Sequence, residues 1–228
     1  MITLHLFRHG KVDSHRGDVP LAPDAGAHID AAAAQMLAQL RPGDSVAFLA
    51  TQTRRSRDTA QGLRDRLAAS GLPLSLGEVR QEYAIRNPDL YLAGHRVEMV
   101  SNGEAMAAQL PPGLMTAAAV EAVPFLDGFF RDKDRIGYWL HHPDPAGEDA
   151  RAVARRIVQF CKSLGDASPA QDLRIVAVSH SPVMRAVLVH YLGLSDPGEP
   201  DWVEPITLTL TDIGGQIQFR DTTRPLTR

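Results

Sequence analysis

Three short apolar runs in this chain end in clusters of ionisable residues, and that recurrence constrains the fold more than any other feature. Residues 2–7 lead into Arg8-His9-Gly10, residues 45–50 into the polar stretch from Thr51 to Arg57, and residues 173–178 into Ser179-His180-Ser181. Apolar runs of this length suit buried strands. Helical patterns separate them. Residues 28–40 are alanine-rich, with Met36, Leu37 and Leu40 at helical spacing. Residues 55–69 end at Ser70-Gly71, a C-cap signal, and residues 148–164 and 181–192 carry two more helices. A weaker strand is expected over 74–79. Residues 206–211 and 216–220 flank Asp212-Ile213-Gly214-Gly215 and read as a terminal hairpin. Strand–helix alternation of this kind implies a three-layer α/β/α sandwich with a mainly parallel central sheet.

Residues from about 83 to 145 break the alternation. They hold Pro88, Pro111, Pro112, Pro124, Pro143 and Pro145, with short helical pieces expected only around 104–110 and 114–123. Phe125, Phe129, Phe130, Tyr138 and Trp139 cluster there and look exposed; they suit the core of a lid better than stacking on a substrate. Long irregular connections in compact domains usually cover a site. The 228 residues are therefore read as a single α/β domain over 1–228, with a partly helical lid insertion at about 83–145.

Composition removes several classes of function. Acidic residues outnumber basic ones, 27 to 24, for a formal charge of −3, which argues against general affinity for nucleic acid or anionic lipid. With 44% hydrophobic and 22% charged residues a real core is affordable and disorder is not expected. Cys161 is the only cysteine, so an internal disulfide and a CxxC metal site are excluded; on an apolar helical face it reads as a small buried hydrophobe. No 18-residue stretch lacks charged side chains, and the N-terminal run is not that of a secretory signal. A cytoplasmic location is the expectation. All basic residues except Lys11, Lys133 and Lys162 are arginine, a genome-level bias, so only the position of an arginine argues for anion binding.

Position does argue for it. Ligands of open α/β sheets bind beyond the carboxyl ends of the strands. If the three runs are parallel neighbours, His9, His180 and several arginines converge on one edge and form a pocket for a dianion with a candidate nucleophile inside it. A cation at the start of a helix is electrostatically disfavoured, so Arg55 there calls for a compensating anion. His141-His142 followed by Asp144 is read as a solvated loop, because adjacent histidines share no face of a helix or strand.

These residues resemble the histidine phosphatase superfamily, which includes the phosphoglycerate mutase-like enzymes. Leu6-Phe7-Arg8-His9-Gly10 looks like its first signature and Arg55-Ser56-Arg57-Asp58-Thr59-Ala60 is similar to its second-arginine signature. Val178-Ser179-His180-Ser181, with Arg185-Ala186 downstream, is similar to its second-histidine signature, and Gly147-Glu148-Asp149 resembles the opening of the helix before it. The resemblance implies that His9 attacks phosphorus as a neutral imidazole, the form that Arg8 and Arg55 favour by like-charge repulsion, and becomes a phosphohistidine. It also implies that Arg8, Arg55, His180 and Ser181 hold the phosphoryl group, and that Gly10 lets the chain turn and fixes the His9 tautomer. Glu82, with Glu78 as competitor, would be the general acid and base. No metal or cofactor is called for, since cations supply the phosphate clamp.

The chain departs from the family pattern at two places. Lys11-Val12-Asp13-Ser14-His15 stands where an asparagine usually helps bind phosphate, and Ser14 or His15 is the substitute. Ser181-Pro182 stands where a glycine usually follows the histidine, and Pro182 removes a backbone donor. Segments that would position a bisphosphorylated sugar acid are not recognisable. The expected function is hydrolysis of a small phosphomonoester metabolite. A phosphoryl mutase, a phosphohistidine protein phosphatase and a catalytically silent phospho-ligand binder are the alternatives, and homodimerisation is left open.

Overall fold

The structure is a computed structural model and describes residues 1–14, 17–166 and 172–226. The central strands are buried on both faces, and the alternation of their side chains between those faces sets the layers. In β1 (Ile2–Arg8), Ile2, Leu4 and Leu6 join one apolar cluster and Phe7 joins another. Helices α1 (Gly26–Leu37) and α2 (Arg54–Ala69) frame β2 (Ser45–Ala50), and β3 (Ser75–Gln81) follows. Ile29, Ala32, Ala33 and Met36 of α1 and Ala60, Leu63 and Leu67 of α2 pack on the Phe7 side with Val46 and Phe48. On the opposite face lie α7 (Ala150–Ser163), β6 residues Ile175 and Ala177 from the strand Leu173–Ser179, and α8 (Ser181–Val187). A sheet with helices on both faces is the sandwich expected from the sequence.

The sheet has the order β3-β2-β6-β1-β7-β8-β9, with β7 at Pro205–Thr211, β8 at Gly214–Phe219 and β9 at Thr222–Leu226. The first four strands are parallel and the last three antiparallel. The terminal hairpin thus has a third strand that the sequence did not announce, because Thr222–Leu226 is short, polar and contains Pro225, tolerable at a sheet edge. The helix after His180 also differs from expectation: α8 gives way to a π-helical turn at Leu188–Leu192, closed by Gly193 in the left-handed region (φ 66°).

Residues 83–145 are more regular than their prolines suggested. After a 3-10 turn at Tyr83–Ile85 they form a hairpin of β4 (Leu90–Leu92) and β5 (His95–Val97). Four short helices follow: α3 (Gly103–Ala107), α4 (Ala117–Glu121), α5 (Pro124–Arg131) and α6 (Arg135–His141). Pro124 opens α5 instead of breaking it, since the first helical position needs no N–H donor. Asp134 caps α6 by accepting from the Gly137 N–H (3.0 Å). The aromatics are not exposed: Phe125, Phe129 and Trp139 are buried in the same cluster as Leu4 and Leu6. Trp139 also donates its indole N–H to the Glu148 carbonyl (2.9 Å). His141, at the end of α6, is exposed and Asp144 lies exposed in the loop that follows, as expected, whereas the half-buried His142 packs edge-on against Phe125.

The Gly147-Glu148-Asp149 segment ties this stretch to the body. Gly147 adopts φ 151°, and a Cβ there would lie 2.2 Å from the Asp89 carbonyl oxygen, so glycine is required. Asp149 caps α7 by accepting from Ala152 N–H (2.6 Å), which starts that helix two residues later than the pattern suggested. Glu148 accepts from Asp89 N–H (2.8 Å) and pairs with Arg156, which reaches the Ala84 carbonyl (2.6 Å). Cys161 is buried, and its thiol is pushed up to about 12 by burial. Among the described residues no helix is long and apolar enough to cross a membrane, and no cluster of three metal-ligating side chains occurs.

His5 couples this core to pH. It lies buried in β1 beside Thr207 (Nδ1 to Oγ1, 3.2 Å), and burial, aided by Arg174, pushes its imidazole down to about 4. Between pH 6.5 and 4 the unfolded chain protonates His5 and the folded chain does not, so stability falls as pH drops through that window. From pH 7 to pH 5 this group removes about 2 kcal/mol. Urea unfolding at the two pH values should show that loss, and His5→Leu should abolish this component.

Candidate active site

Parallel pairing brings the three polar clusters together. Arg8 pairs with Ser179 and Ala50 with Val178, so β1, β6 and β2 release their chains side by side at the same edge. His9 N–H donates to the Ser179 carbonyl (3.0 Å) and Thr51 N–H to the Val178 carbonyl (3.3 Å). The His9 and His180 rings meet edge to face with centroids 5.3 Å apart. Both line a cavity of about 300 Å³ together with Arg8, Arg55, Ser181 and Pro182.

The His9 ring is held by its neighbour. Nδ1 lies 2.8 Å from the Gly10 carbonyl, an acceptor only, so Nδ1 carries the proton and Nε2 the lone pair. Gly10 does not have positive φ. Packing there is close: a Cβ would lie 3.2 Å from Leu21 Cδ2 and 3.3 Å from Thr59 Oγ1, which would have to give by a few tenths of an ångström. Thr59 in turn accepts from Gly10 N–H (2.8 Å) and donates to the Arg55 carbonyl (2.7 Å), coupling the His9–Gly10 turn to α2. His180 Nε2 is 3.0 Å from Thr51 Oγ1.

The two arginines differ. Arg8 stacks over the Trp202 ring (3.7 Å to the centroid), donates to the Pro200 carbonyl (2.6 Å) and pairs with Glu199 (2.8 Å), while its buried Nε has no partner. Its forked end is therefore shared with the loop before β7 and is not given wholly to the cavity. Arg55 is buried at the second position of α2 and makes no side-chain hydrogen bond or ion pair among the described residues. Burial pulls both guanidinium groups below their ordinary pKa; Glu199 and Asp201 partly offset this at Arg8, and Glu98 and Asp18 at Arg55. Asp18 also accepts from Arg54 N–H, supplying part of the negative charge the start of α2 calls for. A buried cation with so little compensation is suited to an anionic partner.

The far wall comes from the 83–145 stretch: Asn87, Met99, Val100, Ser101, Arg135 and Ile136. Eight buried side-chain polar atoms among the described residues have no hydrogen-bond partner. Six of them belong to residues of this cavity: Arg8, Arg55, Asn87, Ser101, Arg135 and Ser181. Orphaned polar atoms cost about 1–3 kcal/mol each, so their concentration here points to a polar ligand.

Not every residue named from the sequence reaches the cavity. Glu82 is half-buried, and its carboxylate accepts from Ala84 N–H (2.9 Å), capping the 3-10 turn; it does not line the cavity. Glu78 is exposed and pairs with Arg64 (2.5 Å). Ser14 is exposed and outside the wall, and His15 lies outside the described residues. Sequence reasoning did not single out Asn87, Ser101, Arg135, Glu199 or Trp202. Only Trp202 carried a signal, as one of two tryptophans, set in a stretch rich in proline and acid.

The chain resembles known proteins in sequence and in fold. The model of the histidine phosphatase superfamily (branch 1) matches residues 129–214. No curated protein sequence matches the chain. Among solved structures, a mycobacterial glucosyl-3-phosphoglycerate phosphatase is 21% identical with a TM-score of 0.53, covering 90% of this chain and 89% of that one. A phosphoserine phosphatase variant from Entamoeba histolytica, in complex with phosphoserine, is 14% identical with a TM-score of 0.52, covering 100% and 96%. YhfR of Bacillus stearothermophilus is 13% identical with a TM-score of 0.50, covering 100% and 96%. The resemblance read from the signatures is borne out by the family match, and the mixed α/β architecture by the shared fold.

Arg55 gives the direct test of the anion site. Arg55→Met keeps the side-chain volume and removes the charge, so it should weaken binding of inorganic phosphate or vanadate by about tenfold to a hundredfold. Isothermal titration calorimetry on the two proteins measures it.

Proposed function

We propose that this chain, which matches the histidine phosphatase superfamily and shares its fold, hydrolyses a small phosphomonoester through a phosphohistidine on His9. The observation that carries the proposal is the buried Arg55 guanidinium, whose Nε has no hydrogen-bond partner, in one cavity with His9 and His180. His9 Nε2, with its lone pair set by the Nδ1–Gly10 hydrogen bond, attacks phosphorus, and the bond to the ester oxygen breaks. Arg55, the unpartnered Nε of Arg8, His180 and Ser181 surround the transferring group, which is stabilised by position and charge without further chemistry. Water then attacks phosphorus, the N–P bond breaks and the electron pair returns to Nε2.

The leaving oxygen needs a proton and the water needs a base, a task for one carboxyl group; its place after β3 nominates Glu82. Residues 83–145 act as the lid and set specificity through Asn87, Ser101 and Arg135, whose orphaned polar atoms support a small, polar phosphorylated metabolite as substrate. The absence of an internal disulfide suits a cytoplasmic location. A phospho-ligand binder without turnover is a second reading, favoured by one observation, the engagement of the Glu82 carboxylate as a turn cap.

Incubation with a radiolabelled phosphomonoester should leave an acid-labile, base-stable label on the wild-type protein and none on His9→Ala, whose turnover should fall at least about a thousandfold. Hydrolysis retained in His9→Ala would count against the nucleophile, and tight phosphate binding with no turnover of a substrate panel would favour the binder.

A further inference from the structure

The two walls of the cavity carry charge unequally. At the sheet edge two guanidinium groups and two imidazoles share the space, whereas the far wall has Arg135 as its one cation among the described residues. The rest of that wall is neutral: Met99, Val100 and Ile136 are apolar, and Asn87 and Ser101 are polar. The Arg135 Nε is buried without a hydrogen-bond partner, and no described carboxylate forms an ion pair with its guanidinium. Asn87 Oδ1 and Ser101 Oγ are buried and unpaired on the same wall. A cation, an acceptor and a hydroxyl thus wait together for partners that the fold does not provide.

The backbone at Arg135 is anchored to the helix that follows His180. Asp134 caps α6, and Arg185 donates to both of its carboxylate oxygens (2.7 and 2.5 Å). Arg185 is 1% exposed and belongs to α8, which begins at Ser181. Gly137 packs on this clamp so closely that a Cβ there would collide with Asp134 and Arg185. Arg135 is therefore presented to the cavity from a set position relative to His180.

We propose that the far wall recognises a second anionic group on the substrate, a carboxylate held by Arg135 and Ser101, so that the substrate is a short phosphorylated carboxylic acid. The proposal rests on the reading of this cavity as a phosphomonoester site. The charge count selects a carboxylate over a second phosphoryl group, since one guanidinium matches a monoanion and would leave a dianion half neutralised. The planar fork of a guanidinium also fits the two oxygens of a carboxylate. At about 300 Å³ the cavity stands at the small end of ligand sites, so only a few carbons separate the two anions. Met99, Val100 and Ile136 give that chain apolar contact, and Asn87 Oδ1 calls for a donor on it, a hydroxyl or an amine.

Two pairs of esters test the assignment, each differing only in whether the chain ends in a carboxylate or a hydroxymethyl group. They are phosphoglycolate against 2-hydroxyethyl phosphate, and 3-phosphoglycerate against glycerol 3-phosphate. In at least one pair the carboxylate ester should exceed its partner by about tenfold to a hundredfold in kcat/KM. Arg135→Met should bring that ratio close to one, and Arg135→Lys should restore part of it. Arg135→Glu should reverse the selection, favouring 2-aminoethyl phosphate over phosphoglycolate, an outcome that a merely structural arginine would not produce. Isothermal titration calorimetry in a His9→Ala background should show the same ratio in Kd, without turnover. A ratio near one for both pairs in wild type overturns the carboxylate subsite, and hydrolysis that still needs His9 would leave the phosphohistidine reading standing. Equal losses on both members of a pair in Arg135→Met, with the ratio kept, overturn the subsite too, because Arg135 would then serve the phosphoryl group or the fold. Conversely, hydrolysis that survives His9→Ala beside a ratio that depends on Arg135 removes the nucleophile and supports the subsite.

Discussion

The parallel register of β2, β6 and β1 is the constraint from which the site follows. Each strand end alone is a short polar turn; hydrogen bonding Ala50 opposite Val178, and Arg8 opposite Ser179, makes them one surface. The side-chain period of a strand is two, so a one-residue slip of β1 would turn its core face to the wrong layer and carry His9 away from His180. The residues that make up the core, Leu4 and Leu6 on one side and Phe7 on the other, thereby also set the distance between the two imidazoles. Packing and chemistry are specified by the same pairing.

That edge is electrostatically expensive. Arg8 and Arg55 are both buried, and neither finds a complete set of partners. The surrounding fold contains the cost by building ion networks around the cavity: Arg86, Asp89, Arg96, Glu148 and Arg156 on the side of the β4–β5 hairpin, and Arg185 with Asp134, Asp196 and Glu199 beneath α6. Removing Asp89 would leave the buried Arg86 without its closest carboxylate, a loss of about 3–5 kcal/mol, so the networks hold the wall in one arrangement.

The parts of this molecule legible in the sequence are those set by local chemistry. Apolar runs of six or seven residues, a Ser-Gly helix stop and an Arg-His-Gly turn each announce themselves within one element, and order along the chain did the rest. What escaped depends on distant partners. Pro124 reads as a breaker until its neighbours show it opening a helix, and Phe125, Phe129 and Trp139 read as exposed until Leu4 and Leu6 are seen to share their cluster. Glu82 stands at the expected sequence position, but only coordinates reveal that its carboxylate caps a turn. Glu199 sits between Gly198 and Pro200 in a loop with no pattern to mark it. Its significance comes from Arg8, 191 positions away.

The setting of the two tryptophans has a practical side. Trp139 is sealed in the core with its N–H on a carbonyl, whereas the partly exposed Trp202 lies on Arg8 and beside His9. An indole's emission responds to nearby charge, and only one of the two here senses the cavity. The protein carries a built-in optical reporter: an anion entering the cavity would alter the field on one ring, that of Trp202, against the constant background of Trp139.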